Sequence, residues 1–526
     1  MAKVTIDGTE VEVQEGLNVI EAAKAADVHV PHFCYHPSLT VVGQCRMCLV
    51  EVEGMPKLQA GCSTTVKDGM KIHVYNDKVD KARKGQMEFL LINHPLDCPI
   101  CDKAGECPLQ DYSFNYGSVT SRYGEFKRTY PGMDRTPIGP HVVQNMNRCI
   151  HCTRCIRFTQ EITGTSELAF FKRGASTEVG VFPDTPLDNW MSACVTDICP
   201  TGALTTREFR FENRVWNLDS AESVCNGCDV GCNIFIGHRN GQIFRYRPRV
   251  NPDVNDHWLC DFGRFSHERY DTDRVVVPKV RNEDDYFGIS TWTEALDSIG
   301  KAVSATTADR IAVIASANMT NEEAFLARKL FADRLGVKNI GVMVDPIGPI
   351  KMKARTEWLV GTQGAPNFRG VERVLGEGTS RKVDDLLTRG AESIDVLFIT
   401  DAAFSERAKD PAVVANLRKA KKLVVLSWDA THPLVDSADV VLPSTIHAEK
   451  EGTFTNLQGR IQRIFQAFPP KGQTVTDIEI FRRIGAHLFP EAEEFMTADV
   501  AELFDDMRAT IPAMKNAEEA APAEAW

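Results

Sequence analysis

The chain is organised around His94-Pro-Leu-Asp-Cys98-Pro-Ile-Cys101-Asp-Lys-Ala-Gly-Glu-Cys107. Three cysteines are spaced C-x2-C-x5-C, with a histidine four positions ahead of the first. One short loop can then wrap its thiolates round a metal centre, with an imidazole free to close the fourth corner. A helix is predicted over 79–93, with Ala82, Met87, Leu90 and Leu91 as its buried stripe. Pro95 cannot continue it, which places His94 at a helix end beside Cys98. On spacing alone Cys194 rivals His94 as the fourth ligand, His94 then merely capping the helix.

The same chemistry recurs on both sides. Upstream, Cys34-x10-Cys45-x2-Cys48-x13-Cys62 suits a 2Fe–2S centre, with a four-cysteine zinc site as the alternative. Gly43 and Gly61 precede ligand cysteines, where the backbone is expected to bend close to sulfur. Downstream, Cys149-x2-Cys152-x2-Cys155 with a remote Cys199-Pro200 is a ferredoxin-type set for a 4Fe–4S centre. Arg148, Arg154 and Arg157 surround it, and positive charge there should raise its reduction potential. Cys225-x2-Cys228-x3-Cys232-x27-Cys260, after a strand-like Arg214–Leu218, reads as a zinc ribbon or a further 4Fe–4S site. Behind the other three sets the cluster is favoured. Cys194 is left over as a small buried hydrophobe.

All 16 cysteines lie at or before Cys260, so a metal-binding half is joined to a cysteine-free one. Hydrophobic content of 43% and charged content of 25% are those of a soluble globular protein. A net charge of −12 disfavours nucleic-acid binding, which needs a basic surface. No apolar run is long enough for a membrane span, and Met-Ala-Lys-Val-Thr-Ile-Asp-Gly enters strand-like sequence without a signal region. The thiols are therefore expected in a reducing cytoplasm, holding metal rather than disulfides. No Gly-rich dinucleotide fingerprint follows a strand, so no dinucleotide site is expected in this chain.

Local signals divide the 526 residues into six segments. Residues 1–78 form a 2Fe–2S domain, in which Val4–Ile6 and Val11–Val13 flank an Asp7-Gly8 turn. Asn18 caps a helix there, with Glu21 as a capping box. Residues 79–118 form the His/Cys segment, 119–217 a ferredoxin-like segment and 218–274 the last cysteine set. Residues 275–490 alternate strands and helices. Thr291-Trp292-Thr293-Glu294 opens a helix, and Thr320 with Glu323 boxes another that carries Ala327, Phe331 and Leu335 before Gly336. Ile311–Ala315, Val396–Ile399, Leu423–Leu426 and Val440–Leu442 are short apolar strands, which implies a parallel sheet covered on both faces. Residues 491–526 are a tail, disordered at Asn516–Trp526.

Cys34…Gly43-Gln-Cys45-Arg-Met-Cys48, the His94–Cys107 stretch, Cys149-Ile-His-Cys152-Thr-Arg-Cys155 and Cys199-Pro-Thr-Gly-Ala-Leu resemble the large iron–sulfur (75 kDa) subunit family of respiratory NADH:quinone oxidoreductase, complex I. Trp292-Thr-Glu-Ala-Leu296 and Glu449-Lys-Glu-Gly452-Thr-Phe-Thr-Asn456-Leu-Gln-Gly459-Arg460 are similar to the molybdopterin oxidoreductase fold. The resemblance implies a multidomain α/β protein: a β-grasp ferredoxin domain, 4Fe–4S regions and a truncated molybdopterin-oxidoreductase-like domain. It makes His94 a cluster ligand with Cys98, Cys101 and Cys107, and it implies one 2Fe–2S and three 4Fe–4S clusters without a molybdenum cofactor. Ser316 and Asp401, near strand ends, are the only molybdenum ligands considered. The implied partners are the flavin/NADH subunit, a small 2Fe–2S subunit, and downstream 4Fe–4S and quinone-site subunits. The implied location is the cytoplasmic side of a bacterial inner membrane. The set at 225–260, kept only in some branches of the family, favours that source. The diaphorase-type subunit of a soluble hydrogenase or formate dehydrogenase is the alternative.

Overall fold

The computed structural model describes residues 1–515 apart from 283, 355, 356, 377, 402–404, 497 and 498. The segment Asn516–Trp526, expected to be disordered, lies outside the described residues. The chain divides after Leu218 into two compact units.

In the first unit, alternating residues make Ala2–Ile6 and Thr9–Val13 an antiparallel hairpin. Asp7 (φ 46°) and Gly8 (φ 86°) supply the two left-handed positions that a two-residue turn demands. The sheet runs Thr9–Val13, Ala2–Ile6, Lys71–His73, Leu49–Val52, Gln59–Ala60, with Ala2–Ile6 and Lys71–His73 parallel. Asn18 caps helix Val19–Ala25, accepting from the Glu21 amide at 3.1 Å. Val19, Ile20, Ala22 and Ala23 then bury with Val4, Ile6 and Val13 in one core. The expected capping box is only half formed: the Glu21 carboxylate accepts from the Tyr35 hydroxyl at 2.7 Å instead. That bond ties the helix to the residue after Cys34.

Asn76 caps helix Asp77–Leu91, which leads to His94. Met87 is buried as expected, while Ala82, Leu90 and Leu91 are half-buried. Arg83 is as deeply buried as Val79 and Met87, 0% exposed, and is stacked 5.4 Å from the Tyr75 and Tyr116 rings. It donates to the Leu49 carbonyl at 3.1 Å. The quadrupoles of the two rings attract the guanidinium that lies between them.

The second unit opens on an antiparallel sheet, Asp219–Val224, Asn233–Arg239 and Gln242–Pro248. The strand expected at Arg214–Leu218 is instead a short helical turn, Val215–Asn217, and the strand begins one residue past it. The main sheet has seven strands in the order Phe287–Ile289, Lys279–Arg281, Val440–Pro443, Lys422–Ser427, Val396–Ile399, Ile311–Ser316, Asn339–Met343. The last five are parallel. Alternate residues feed opposite faces: Val313, Phe398, Val424 and Leu442 enter one apolar cluster, and Ile314, Leu397, Val425 and Val441 the other. The expected box of Thr320 with Glu323 forms in full, and the helix start expected at Thr291 carries a second box, with Glu294.

The core does not end at residue 490. Asp499 caps a further helix, Val500–Thr510, whose Leu503 and Met507 are buried in the first of these clusters. A tail from 491 is therefore too early a boundary. Among the described residues no helix is long and apolar enough to cross a membrane.

Candidate metal centres

Cys34 and Cys45 stand at the ends of a loop that the Glu21–Tyr35 bond ties to helix Val19–Ala25. The amides of Phe33 and Cys34 donate to Cys45 Sγ at 3.4 and 3.5 Å, and the Cys45 amide donates to Cys34 Sγ at 3.5 Å. Cys48 and Cys62 form a second hydrogen-bonded pair. In each pair the bond holds one thiol, Cys34 or Cys62, below its usual range and pushes its partner up. Two thiol pairs match a centre of two irons, each needing two thiolates. Neither expected glycine touches sulfur. Gly43 (φ 58°) turns in open space, and a Cβ on Gly61 would stand 3.0 Å from the Cys48 carbonyl oxygen.

The second set rests on the turn Cys98–Ile100 and on helix Pro108–Tyr116, which starts after Cys107. Cys98 is exposed, while Cys101 and Cys107 are buried. Burial raises the Cys107 thiol to about 11, so iron would have to displace a proton held tightly at neutral pH. A Cβ on Gly202 would lie 2.2 Å from Cys101 Sγ, so this position accepts glycine alone. His94 has a buried Nδ1 without a hydrogen-bond partner. Burial, helped by Lys127 and Arg148, lowers its pKa to about 4 and keeps the ring neutral. An orphaned nitrogen on a neutral imidazole fits a metal ligand. His94 lines a cavity of about 120 Å³ with Asn93, Arg128, Asn147, Cys149 and His151.

Cys149, Cys152, Cys155 and Cys199 all line one small cavity, of about 20 Å³, with Pro200 and Thr201. His151 (φ 55°) and Thr153 (φ 63°) are left-handed, and the His151 amide donates to Cys149 Sγ at 3.4 Å. Such turns aim successive amides at one point, a cradle for negative charge. Cys199 follows helix Cys194–Ile198, on which Cys194 is fully buried. Burial raises the Cys149, Cys152 and Cys155 thiols.

In the second unit Cys225, Cys228, Cys232 and Cys260 are 2–4% exposed. The Gly227 and Gly263 amides donate to Cys225 and Cys260 sulfurs at 3.4 and 3.3 Å. A Cβ on Gly263 would be 2.7 Å from Cys225 Sγ, and one on Gly361 would be 3.1 Å from Cys228 Sγ. Among the described residues no three His, Cys, Asp or Glu side chains already converge on a single-ion position. The four cysteines of the third set line one cavity, His94 lines its cavity with Cys149 and not with Cys98, Cys101 or Cys107, and backbone amides donate to sulfur in the first, third and fourth sets.

Four features escaped the sequence reading. The left-handed residues Arg46, His151 and Thr153 carry side chains that normally avoid that region. Gly263 and Gly361, like Gly202, approach sulfur. Arg214 donates to the carbonyls of Pro99 and Cys101. Cys34 and Cys45, Cys107, and Cys152, drawn from three sets, share one apolar cluster with Phe33, Met47, Met87 and Leu109. Only Gly202, in Cys199-Pro-Thr-Gly, carried a readable signal.

Comparison with known families finds five domain models along residues 1–487. Residues 1–77 match a 2Fe-2S iron-sulfur cluster binding domain. Residues 83–122 match the NADH-ubiquinone oxidoreductase-G iron-sulfur binding region. Residues 139–205 match the ferredoxin-like domain of NADH-quinone oxidoreductase subunit 3, and 218–268 an NDSU1/NuoG-like 4Fe-4S domain. Residues 274–365 and 359–487 match molybdopterin oxidoreductase. The NADH-quinone oxidoreductase G-type subunit of Rickettsia felis is 43% identical over 342 residues, 65% of this chain and 50% of that protein. The mitochondrial NADH-ubiquinone oxidoreductase 78 kDa subunit of Candida albicans is 40% identical, over 64% of this chain and 47% of that protein. A chain in the crystal structure of an NAD+-reducing [NiFe]-hydrogenase is 28% identical with a TM-score of 0.35, covering 41% of this chain and 91% of that one. The chain spans about half the length of the curated relatives it matches. Its consecutive iron–sulfur domains and its 40–43% identity to these proteins make it a homologue of the 75 kDa iron–sulfur subunit of NADH-quinone oxidoreductase.

Proposed function

We propose that this chain is an electron-transfer subunit of an NADH:quinone oxidoreductase of the complex I type. It would pass electrons from a flavin-bearing partner toward quinone and hold no flavin, NADH or quinone site of its own. The observation that carries this reading is the shared cluster of Cys34, Cys45, Cys107 and Cys152, which draws three ligand sets into one interior. Iron–sulfur clusters supply one-electron chemistry when bound. Cys34 with Cys45 would hold one iron of a 2Fe–2S cluster, and Cys48 with Cys62 the other. His94, Cys98, Cys101 and Cys107 would hold a 4Fe–4S cluster, as would Cys149, Cys152, Cys155 and Cys199, and Cys225, Cys228, Cys232 and Cys260.

The residues around these sets exclude water, donate amide hydrogen bonds to sulfur and keep His94 neutral. The sheet domain from 275 onward serves as a scaffold without molybdenum. Asp401, one of two side chains considered as a metal ligand, already accepts from Trp428 Nε1 at 2.9 Å and from Asn318 Nδ2 at 3.1 Å. The other, Ser316, is buried and accepts from the Asn318 amide at 3.1 Å. The partners would be the flavin subunit, a small 2Fe–2S subunit and downstream 4Fe–4S and quinone-site subunits, at the cytoplasmic face of a bacterial inner membrane. Anaerobically purified protein should contain iron and acid-labile sulfide in equal amounts, with molybdenum and zinc well below one per chain. Stoichiometric zinc in place of iron would overturn the reading.

A further inference from the structure

The third ligand loop reaches its two neighbours through arginines. Arg157, 5% exposed, donates through Nη2 to the carbonyl of Cys34, through Nη1 to the carbonyl of Thr40, and at 3.5 Å to the carbonyl of Cys152. Its Nε donates to Thr153 Oγ1 at 3.2 Å. Arg154 spans the same gap, from the Ile198 carbonyl at 3.1 Å, beside Cys199, to the Tyr35 carbonyl, beside Cys34. The partners of both are carbonyls and a hydroxyl, so no carboxylate in these bonds offsets their charge. Burial pushes the Arg154 pKa down, and thiols of both sets (Cys152, Cys45, Cys199 and Cys34) oppose that shift. Arg148 works differently. It forms an ion pair with Asp97, Nε at 3.0 Å and Nη2 at 2.9 Å, joining the residue before Cys149 to the residue before Cys98.

We propose that Arg157 and Arg154 are positioning residues that lock the first ligand set to the third and hold one positive field over both, while Arg148 ties the second set to the third. The proposal rests on the electron-transfer reading above. A guanidinium presents a rigid fork of five donors, which lets one side chain hold carbonyls of two loops at a set separation. A buried positive charge favours whichever state of its surroundings is more negative, which for a cluster is the reduced state. One residue would then control both the spacing of two redox sites and their potentials. Arg148, neutralised by Asp97, contributes spacing more than field.

The test is a redox titration of the full chain followed by electron paramagnetic resonance, comparing wild type with Arg157→Gln, Arg157→Lys and Arg148→Gln. In Arg157→Gln the first and third clusters should both shift to lower potential while the second stays. Arg157→Lys keeps the charge but loses the fork, so its potentials should lie near wild type while electron exchange between the first and third clusters slows several-fold. Arg148→Gln should disturb the second and third clusters and leave the first unchanged. Arg157→Gln with full iron and sulfide and an unmoved first cluster would overturn the proposal. If Arg157→Gln does not assemble, Arg157→Lys decides: both clusters intact and exchanging at the wild-type rate would also overturn it. Wild-type protein without iron and sulfide would instead sink the electron-transfer reading itself.

Discussion

Up to Leu218, ligand cysteines from three sets are packed among Phe33, Met47, Met87 and Leu109. From Asp219 onward, two apolar clusters sandwich a parallel sheet, and no ligand cysteine belongs to either. On the proposed reading, much of the first unit's interior beyond the small sheet would itself be the metal-binding apparatus. Free energy of metal binding there is free energy of folding. In the second, aliphatic burial stabilises the fold, and the one cysteine set stands apart from the main core. The difference would then separate a region whose order depends on its cofactors from a scaffold that keeps its order without them.

Iron removal should break the comparison open most widely. Chelation under reducing conditions should expose the amides of residues 94–107 and 146–157 to hydrogen exchange, while strands Ile311–Ser316, Val396–Ile399 and Lys422–Ser427 stay protected. The hairpin Ala2–Val13, which has its own apolar core, should also hold. Uniform loss of protection would contradict a self-supporting second unit.

Next in size is Phe398→Ala. Phe398 is 1% exposed and packs 4.8 Å from Phe331. Truncation should cost about 3–5 kcal/mol of second-unit stability. Denaturant titration measures it, and the 2Fe–2S signal of the first unit should survive unchanged.

A smaller effect is set by pH. Glu322 is fully buried, and desolvation raises its carboxyl from 4.5 to about 7, against bonds from the Thr453 hydroxyl and amide. A raised acid holds its proton more tightly when folded. Its stabilisation is therefore complete below about 4.5 and is lost as pH climbs through about 7. That shift corresponds to at most about 3 kcal/mol. Glu322→Gln should flatten second-unit stability between pH 5 and 8, which thermal melts across that range would show. An unchanged pH slope would mean that Glu322 ionises freely in the fold.

The smallest expected change is Cys194→Ser. The side chain is 0% exposed, so the hydroxyl should cost about 1–3 kcal/mol at most, with every cluster signal retained. Loss of the second cluster in that variant would move the fourth ligand from His94 to Cys194.

What could be read from the chain followed how local each signal is. The Asp7-Gly8 turn, the caps at Thr291 and Thr320 and the parallel strands are written within a few residues, and the structure has them in place. Glu21 illustrates the limit, because a competing hydroxyl from Tyr35, distant in sequence, takes the carboxylate that a local rule assigned to the cap. Nothing local marks Arg83 for burial, which comes from the Tyr75 and Tyr116 rings that close over it. The glycines that approach sulfur are far from their cysteines, as Gly361 is from Cys228, so adjacency pointed to Gly43 and Gly61 instead. Asp499 before a run with Leu503 and Met507 was a legible cap, obscured by the polar composition of the segment after it. Cysteine spacing grouped the thiols into sets, but it could not show that three of the sets share an interior.

That shared interior is most directly tested by electron paramagnetic resonance of the full chain at increasing reduction. If the sites at Cys34–Cys62 and Cys149–Cys199 lie as close as their common cluster and the Arg157 bridge require, their signals should broaden and split once both are reduced. Spectra of the fully reduced chain that are the simple sum of isolated signals would contradict the convergence.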